Sequence, residues 1–220
     1  MSRFVVVECE QRSEQWHKAR LGKVCGSKAA DMLATHRDGK TPAASRRNLL
    51  TQLVLERITG RSQENGYQSR YMEQGVQREG DASGYYEALT GRLVFPVGFM
   101  HHPELAAGVS LDGYVGNLEA PEGIVELKCP IPATHLEYVE TGIVPGEYMK
   151  QIAHALFITG AKWCDWVSYN PDFPEGLRAK LVRVEAEKLD LKAYEALLRL
   201  FLKEVDAKEA SVRKLMAVAA

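Results

Sequence analysis

The cysteines of this chain are few and scattered, and that scatter excludes two classes of protein. The four are Cys9, Cys25, Cys129 and Cys164. They form no CxxC pair, and no histidine stands near them at the spacing of zinc ligands. Neither a disulfide framework nor a structural zinc site is therefore expected. Reduced thiols, as in a cytoplasmic protein, are the expectation.

Long apolar runs and an excess of positive charge are also missing. No stretch approaches the roughly 20 apolar residues of a membrane helix, and no apolar run follows a basic segment near the start. The formal net charge is -1, whereas a protein that coats DNA with its whole surface is normally basic. We expect a soluble, cytoplasmic protein without membrane contact. Any positive charge that binds nucleic acid must be concentrated in a groove or channel.

The 220 residues with 45% hydrophobic content can bury one sizeable core, so we expect one domain over residues 1–220. Apolar periodicity predicts both strands and helices. The predicted strands are Phe4–Val7, Leu93–His101 with an interruption at Pro96, Val109–Val115, Gly123–Lys128, Trp163–Tyr169 and Leu177–Val184. The predicted helices are Ser27–Leu33, Arg46–Thr59, Tyr71–Leu89, Ala133–Glu140 and Glu147–Thr159. The C-terminal stretch Glu187–Ala219 is predicted to form one amphipathic helix or a kinked pair of helices. Polar loops are predicted at 36–45 and 61–70.

Two of these strands, Val109–Val115 and Gly123–Lys128, are joined by a segment rich in Gly, Asn and Pro that suits a hairpin. The period-2 geometry of a strand puts Glu126 and Lys128 on one face. Asp112 can then face them from the neighbouring strand. The hairpin therefore predicts two carboxylates and an ammonium close together.

Two carboxylates a few ångströms apart repel, and a divalent cation with oxygen ligands is the usual stabiliser. Mg²⁺ fits best, because it binds one or two carboxylates and keeps waters or phosphate oxygens as its other ligands. A lysine two residues from a metal-binding glutamate can orient or deprotonate an attacking water. These groups suit phosphodiester hydrolysis. The alternative is a surface strand with a Glu/Lys pair and an Asp-Gly turn.

A phosphate site is suggested nearer the start of the chain. Ser27 is predicted to cap a helix, whose N-terminus offers free amide donors, and Arg20 is close in sequence. The alternative is an ordinary capping serine and a solvated arginine. Glu79 lies on a predicted helix that could aim it at the hairpin, although an exposed glutamate is the commoner case.

A set of motifs in order from about residue 14 to 170 closely resembles the phage lambda exonuclease family, also called the YqaJ-type viral recombinases. The pattern Asp112 then Glu126-Leu127-Lys128 is the D-x(n)-E-x-K signature of their superfamily, PD-(D/E)xK. The full set is Trp16-His17-Lys18-Ala19-Arg20-Leu21-Gly22, Ser27, Gly75-x-x-x-Glu79, Ser110-Leu111-Asp112-Gly113, Glu126-Leu127-Lys128-Cys129-Pro130 and Tyr148-Met149-x-Gln151.

The resemblance implies an α/β fold: a restriction-endonuclease-like core with a central mixed β-sheet flanked by helices, here followed by a C-terminal amphipathic helix. It implies Asp112 and Glu126 as metal ligands for two Mg²⁺ ions, with Mn²⁺ as a possible substitute, and the Leu127 carbonyl as a third oxygen. Lys128 would handle the water. Glu79 would be a supporting acid, and Gln151 would support the site.

The same resemblance implies that Arg20 and Ser27 hold the 5′ phosphate of the strand being digested, with Arg37 as a further phosphate-binding arginine. Leu111 stands where the family often has proline, and that position is not a ligand. The connection from Asp112 to Glu126 looks longer than in the lambda protein.

The activity implied is 5′ to 3′ exonuclease digestion of one strand of linear double-stranded DNA, processive and leaving a 3′ overhang for an annealing protein. Family members form ring-shaped trimers around the DNA. Alternatives are a structure-specific or repair endonuclease of the same superfamily, or a catalytically inactive module that binds DNA ends. An iron-sulfur nuclease is disfavoured, because the cysteines do not supply the usual cluster.

Overall fold

The strands fall into two four-stranded sheets in this computed structural model, which describes residues 3–63 and 70–218, without the side chains of 70–76 and 216–218. The predicted loop at 61–70 lies partly outside those residues. The strands are β1 Val5–Val7, β2 Val24–Cys25, β3 Phe99–His101, β4 Ala107–Val109, β5 Gly113–Asn117, β6 Ala120–Lys128, β7 Trp163–Tyr169 and β8 Ala179–Glu185. The helices are α1 Glu14–Arg20, α2 Ala29–Met32, α3 Ala44–Thr59, α4 Arg70–Thr90, α5 Pro132–Thr141, α6 Gly146–Thr159 and α7 Leu191–Val218.

Both sheets are mixed. The first has the order β1-β3-β4-β2, and only its β2–β4 pair is parallel. The second has the order β5-β6-β7-β8, in which β6 and β7 run parallel between two antiparallel neighbours. Mixed sheets flanked by helices confirm the predicted fold class.

The predicted strand Val109–Val115 is divided between the two sheets. Its first part belongs to β4 and its second part to β5, and 110–112 connect them. This division places Asp112 at the junction of the sheets, directly before β5.

The predicted strand Leu93–His101 is reduced to β3, with Phe95 forming an isolated bridge to Tyr114. Proline lacks the N–H that a ladder needs, so Pro96 ends the pairing. The predicted strand Leu177–Val184 begins two residues later, after a 3₁₀ turn at Glu175–Leu177.

The two faces of the second sheet pack against different helices. Ile124, Cys164 and Trp166 belong to the larger core, which α6 and α7 complete. Val125 and Leu127 point the other way, into a smaller core with Ala82 and Tyr86 of α4. The strand β6 is therefore buried on both faces, and its C-terminal end carries the predicted site residues Glu126 and Lys128.

The C-terminal stretch forms one helix, α7, rather than a pair of helices. It begins at Leu191 instead of Glu187, because a 3₁₀ turn at Ala186–Lys188 precedes it. Its buried stripe packs on α3, where Arg46 makes a two-pronged ion pair with Glu204 at 2.7 and 2.9 Å. None of the described helices combines the length and apolarity that crossing a lipid bilayer requires.

Candidate active site

The hairpin of β5 and β6 brings Asp112 close to Glu126, two of the predicted site residues. The strands pair antiparallel with Gly113 opposite Val125, and a bulge at Gly116, whose φ is 93°, adjusts the register near the turn. The main-chain N–H of Leu127 donates to Asp112 Oδ2 at 2.7 Å. Asp112 is therefore fixed beside the segment that carries Glu126 and Lys128.

Glu126 and Lys128 share a face of β6, as the period-2 pattern predicts. The Lys128 ammonium donates to Glu126 Oε1, and Gln151 Nε2 of α6 donates to the same oxygen at 2.6 Å. Glu126 is only 5% exposed, whereas Asp112 is half-buried. The structure thus brings Gln151 into contact with the carboxylate that the resemblance assigns as a ligand.

Burial and mutual charge govern the protonation of this group. Burial raises the pKa of Glu126, against the opposing effect of the Lys128 charge. Burial alone would lower the pKa of Lys128, but the carboxylates of Glu126 and Asp112 raise it above its ordinary value. Lys128 therefore holds its proton in this arrangement, with its ammonium 5.1 Å from the centre of the Tyr148 ring.

Glu79 comes to the same place from α4. Ala82 and Tyr86, three and seven residues further along the helix, are fully buried against the sheet, so the face that carries Glu79 points at the site. Burial raises the pKa of Glu79, the nearby Asp112 charge adds to this, and Arg12 opposes it. The Glu79 carboxylate and Asp112 line one cleft of about 600 Å³.

Arg20 lies close to the site through a neighbour of Asp112. Its guanidinium carbon stands 4.0 Å from the centre of the Trp16 ring, and Nη1 donates to Ser110 Oγ at 3.5 Å. Trp16 Nε1 donates to the same hydroxyl at 2.7 Å. Because Ser110 is two residues before Asp112, this contact places Arg20 near the end of the hairpin that carries Asp112.

The predicted helix from Ser27 to Leu33 is shorter than expected, and Ser27 is not its N-cap. A 3₁₀ turn covers Gly26–Lys28, α2 follows, and Lys28 stands in the cap position without a side-chain bond. Ser27 is exposed, but its neighbour Gly26 is buried, and a Cβ added there would lie 3.5 Å from Gln151 Cγ, in ordinary contact. The segment that carries Ser27 therefore lies against α6, next to the residue that binds Glu126.

Arg37 is not brought to these groups by any contact in the part of the chain that the structure describes. It is exposed in a turn whose ends are bridged by Thr35 and Pro42. The other predicted site residues converge, except that Ser27 is placed near them only through its neighbour Gly26.

The chemistry of the converging groups fits a hard divalent cation. The ligands would be the carboxylates of Asp112 and Glu126 with the Leu127 main-chain oxygen, and magnesium prefers oxygen. Among the described residues, no three His, Cys, Asp or Glu side chains form a metal-binding group by themselves. A metal site here therefore depends on the main chain and on solvent or substrate oxygens for its remaining ligands.

Sequence reasoning missed Arg12 and Gln11, which contact this site from the segment before α1. Gln11 Nε2 donates to the Leu111 carbonyl at 2.8 Å, and Arg12 pairs with Glu79 at 3.5 Å. No local pattern marks either residue, because both contacts span more than sixty residues of chain. Tyr148, which the sequence identifies only as part of a family motif, faces the Lys128 ammonium.

Comparisons with known proteins identify the family of this chain. A family model, described as the YqaJ-like viral recombinase domain, matches residues 15–162. A comparison with curated protein sequences gave no match. Among solved structures, the chain is similar to an alkaline exonuclease, LHK-Exo, from Laribacter hongkongensis, at 34% identity and a TM-score of 0.83. The match covers 94% of this chain and 100% of that one.

The structure of LHK-Exo in complex with dAMP matches with a TM-score of 0.84 at 34% identity. That match covers 94% of this chain and 100% of the other. A phage-related exonuclease from Haemophilus somnus 129PT matches with a TM-score of 0.66 at 12% identity, over 86% of this chain and 96% of that one. The last similarity shows the fold alone. The family match and the 34% identity over nearly the whole chain show that this protein belongs to the YqaJ-like viral recombinase family.

Proposed function

We propose that the chain is a Mg²⁺-dependent exonuclease that digests one strand of linear double-stranded DNA from the 5′ end and leaves a 3′ overhang. Membership of the YqaJ-like family and similarity to an alkaline exonuclease support a nuclease role. The finer activity is the proposal. Residues 1–220 would act as one nuclease domain.

One observation carries the proposal: Asp112 and the Glu126–Lys128 pair meet at the junction of the two sheets. Asp112 Oδ2 accepts the Leu127 N–H at 2.7 Å, while Glu126 Oε1 accepts Lys128 and Gln151. An ordinary surface strand would leave Glu126 in water, whereas this one is 5% exposed. Burying a carboxylate beside a second acid is costly unless a cation offsets it.

Asp112, Glu126 and the Leu127 carbonyl would hold Mg²⁺, two ions per site, with Mn²⁺ as a substitute. A bound ion would supply Lewis-acid stabilisation of the charge on the scissile phosphate. Lys128 would orient the attacking water by hydrogen bonding. To accept a proton it must first separate from Glu126, since that contact raises its pKa. Gln151 would keep the Glu126 carboxylate in position.

Glu79 would support the acid cluster from α4, and Arg20 with Ser27 would bind the 5′ phosphate of the strand end. Arg20 suits this role because its guanidinium already stacks on Trp16 and reaches Ser110, close to Asp112. A fixed phosphate determines which bond lies over the acids. Arg37 would join from its exposed turn only after that turn moves.

We further propose a ring-shaped homotrimer that acts on duplex ends with a single-strand annealing protein as partner. The net charge of -1 suits a ring, because only the bore needs basic residues. Sedimentation under working conditions would contradict this part if it gave a monomer.

The test is digestion of 5′-labelled linear duplex with Mg²⁺, with and without EDTA. The wild type should release labelled mononucleotide, EDTA should stop it, and Lys128→Ala should be nearly inactive. Lys162→Ala serves as the matched control, because Lys162 is an exposed lysine directly before β7. Equal activity of wild type and Lys128→Ala would contradict the mechanism.

The substrate form separates the alternatives. Cleavage of closed circular duplex into internal fragments would instead indicate a structure-specific or repair endonuclease. Binding of duplex ends without hydrolysis at any divalent metal would indicate an inactive end-binding module.

A further inference from the structure

The turn before α1 holds an arginine in a backbone conformation that favours glycine. The main-chain N–H of Ser13 donates to the Glu10 carbonyl at 3.2 Å, which closes a four-residue turn. Arg12 is the third residue of that turn, with a φ of 71°. A type II turn requires positive φ at this position, and glycine or asparagine usually occupies it. Among the residues that the structure describes, Arg12 is the one non-glycine residue with positive φ.

The turn is fixed from both sides. Gln11 Nε2 donates to the carbonyl of Val97 at 2.9 Å and to that of Leu111 at 2.8 Å. On the other side, Ser13 Oγ caps α1 by accepting from the Trp16 N–H at 3.2 Å. Because Leu111 directly precedes Asp112, the backbone of Arg12 is held at a set place relative to the acids.

The side chain of Arg12 reaches the acid cluster from this turn. Its Nη2 stands 3.5 Å from both carboxylate oxygens of Glu79. The cleft that contains Glu79 and Asp112 is lined by two further acids, Glu8 and Glu10, and by Arg12 as its cation. The guanidinium therefore stands where it offsets repulsion between Glu79 and Asp112.

We propose that Arg12 is a positioning residue for the hydrolysis set out above, whose guanidinium holds the Glu79 carboxylate beside Asp112. The inference rests on the proposed function and deepens it. The left-handed turn aims the guanidinium at Glu79, and this contact is the reason that an arginine stands where glycine would be easier to accommodate.

The variant Arg12→Gly tests this with little risk to folding, because glycine adopts positive φ without strain. Its melting temperature should equal that of the wild type or exceed it by about 2–4 °C. We expect kcat on linear duplex to fall about three- to fivefold, the upper end for an ion pair whose side chains are 47% and 39% exposed. KM should stay within about twofold, because Arg12 acts through Glu79 rather than on DNA.

Two further variants separate positioning from a general structural effect. Arg12→Lys keeps the charge and should recover most of the lost kcat, although a lysine lacks the planar fork of arginine. In a Glu79→Gln background, Arg12→Gly should lower kcat by less than about a further twofold, because the partner carboxylate is already gone.

Several results would overturn the inference. An unchanged kcat in Arg12→Gly would do so, as would an undiminished loss on top of Glu79→Gln. A raised KM with an altered salt dependence would mean that Arg12 contacts a DNA phosphate instead. A wild type that leaves linear duplex intact would contradict the proposed function, whereas an active wild type matched by Arg12→Gly would contradict this inference alone.

Discussion

Two buried carboxylates on neighbouring parallel strands, Glu126 of β6 and Asp165 of β7, differ in how completely they are satisfied. Glu126 is opposite Trp166 in the ladder, and Asp165 is opposite Val125, so the two side chains point to opposite faces. Their exposed fractions are 5% and 0%. Burial alone therefore does not distinguish them.

Asp165 is bonded through both of its oxygens. Arg183 donates Nε to Oδ1 and Nη2 to Oδ2, each at 2.7 Å, and the Tyr86 hydroxyl donates to Oδ2 at 2.7 Å. Arg183 also stacks on Trp163, 3.8 Å from the ring centre. A two-pronged arginine pair of this kind joins β7, β8 and α4.

Among the described residues, Glu126 accepts side-chain bonds from Lys128 and Gln151, both on Oε1. A second carboxylate, Asp112, is close enough to raise its pKa further. Asp165, whose two oxygens both accept hydrogen bonds, therefore links elements of the fold and has a structural role. A partly bonded acid beside another acid has capacity for a cation, and we assign the chemistry to it.

The largest effect that should distinguish Glu126 from Asp165 is on the rate of hydrolysis. Glu126→Gln should lower the rate of duplex digestion by about 10³-fold, because it removes the charge of the proposed metal ligand, which we expect to be worth several kcal/mol in the transition state. Its melting temperature should fall less than that of Asp165→Asn, because Lys128 keeps the Asp112 carboxylate as a second charge partner. The control is Glu122→Gln, an exposed glutamate in the same strand. Equal losses in both variants would break the comparison.

The next effect is on folding. Asp165→Asn should lower the free energy of unfolding by about 2–3 kcal/mol, because it leaves Arg183 without its full charge partner. The lower end of the usual range applies, since the Arg183 side chain is 30% exposed. Denaturant titration measures the loss, and digestion by the folded variant at low temperature should remain within about twofold. A stable but inactive variant would reverse the assigned roles.

A smaller effect concerns pH, through the buried His154. Its Nε2 donates to the Gly108 carbonyl at 2.9 Å while its Nδ1 accepts from the Tyr194 hydroxyl at 2.6 Å, and burial lowers its pKa to about 4. The unfolded chain takes up this proton near pH 6.5, so stability is full above that pH and falls as pH drops toward 4.

The expected loss is about 2 kcal/mol between pH 6.5 and pH 5, from denaturant titrations at each pH. The slope should be reduced in His154→Gln and kept in His36→Gln, because His36 is exposed. A slope unchanged in His154→Gln would show that another group is responsible.

The smallest effect concerns the strand end. Arg20→Ala should reduce the preference for 5′-phosphorylated over 5′-hydroxyl ends by about tenfold, the worth of one charge-assisted contact. Competition between the two duplexes measures it. Lys18→Ala, on the same helix, should keep the preference, because its side chain is 70% exposed and pairs with Glu14. A wild type without any preference would remove the role given to Arg20.

Local patterns were sufficient to predict the hairpin and the shared face of Glu126 and Lys128. Both follow from the alternation of side chains along a strand, which neighbouring residues determine. Most helix bounds were also close, because the helical period is likewise a local pattern. For example, the predicted helix Glu147–Thr159 is observed as Gly146–Thr159. The family motifs added Gln151 and Arg20, which periodicity alone does not relate to the hairpin.

Long-range contacts determine the structural features that local sequence patterns did not predict. The division of 109–115 between two sheets depends on pairing partners, β2 and β3 for one part and β6 for the other. The saturated state of Asp165 depends on Tyr86, far away in sequence. The expected cap at Ser27 was wrong because Ser27 lies inside a 3₁₀ turn, Gly26–Lys28, so that Lys28 takes the cap position of α2.

The most direct test of the central claim is a crystal soaked with Mn²⁺ and measured for anomalous scattering. Our account predicts a peak between the carboxylates of Asp112 and Glu126, with Lys128 beside it and separated from Glu126. The same peak should be lost in Glu126→Gln and kept in Asp165→Asn. A peak elsewhere, or acids too far apart to share an ion, would contradict it.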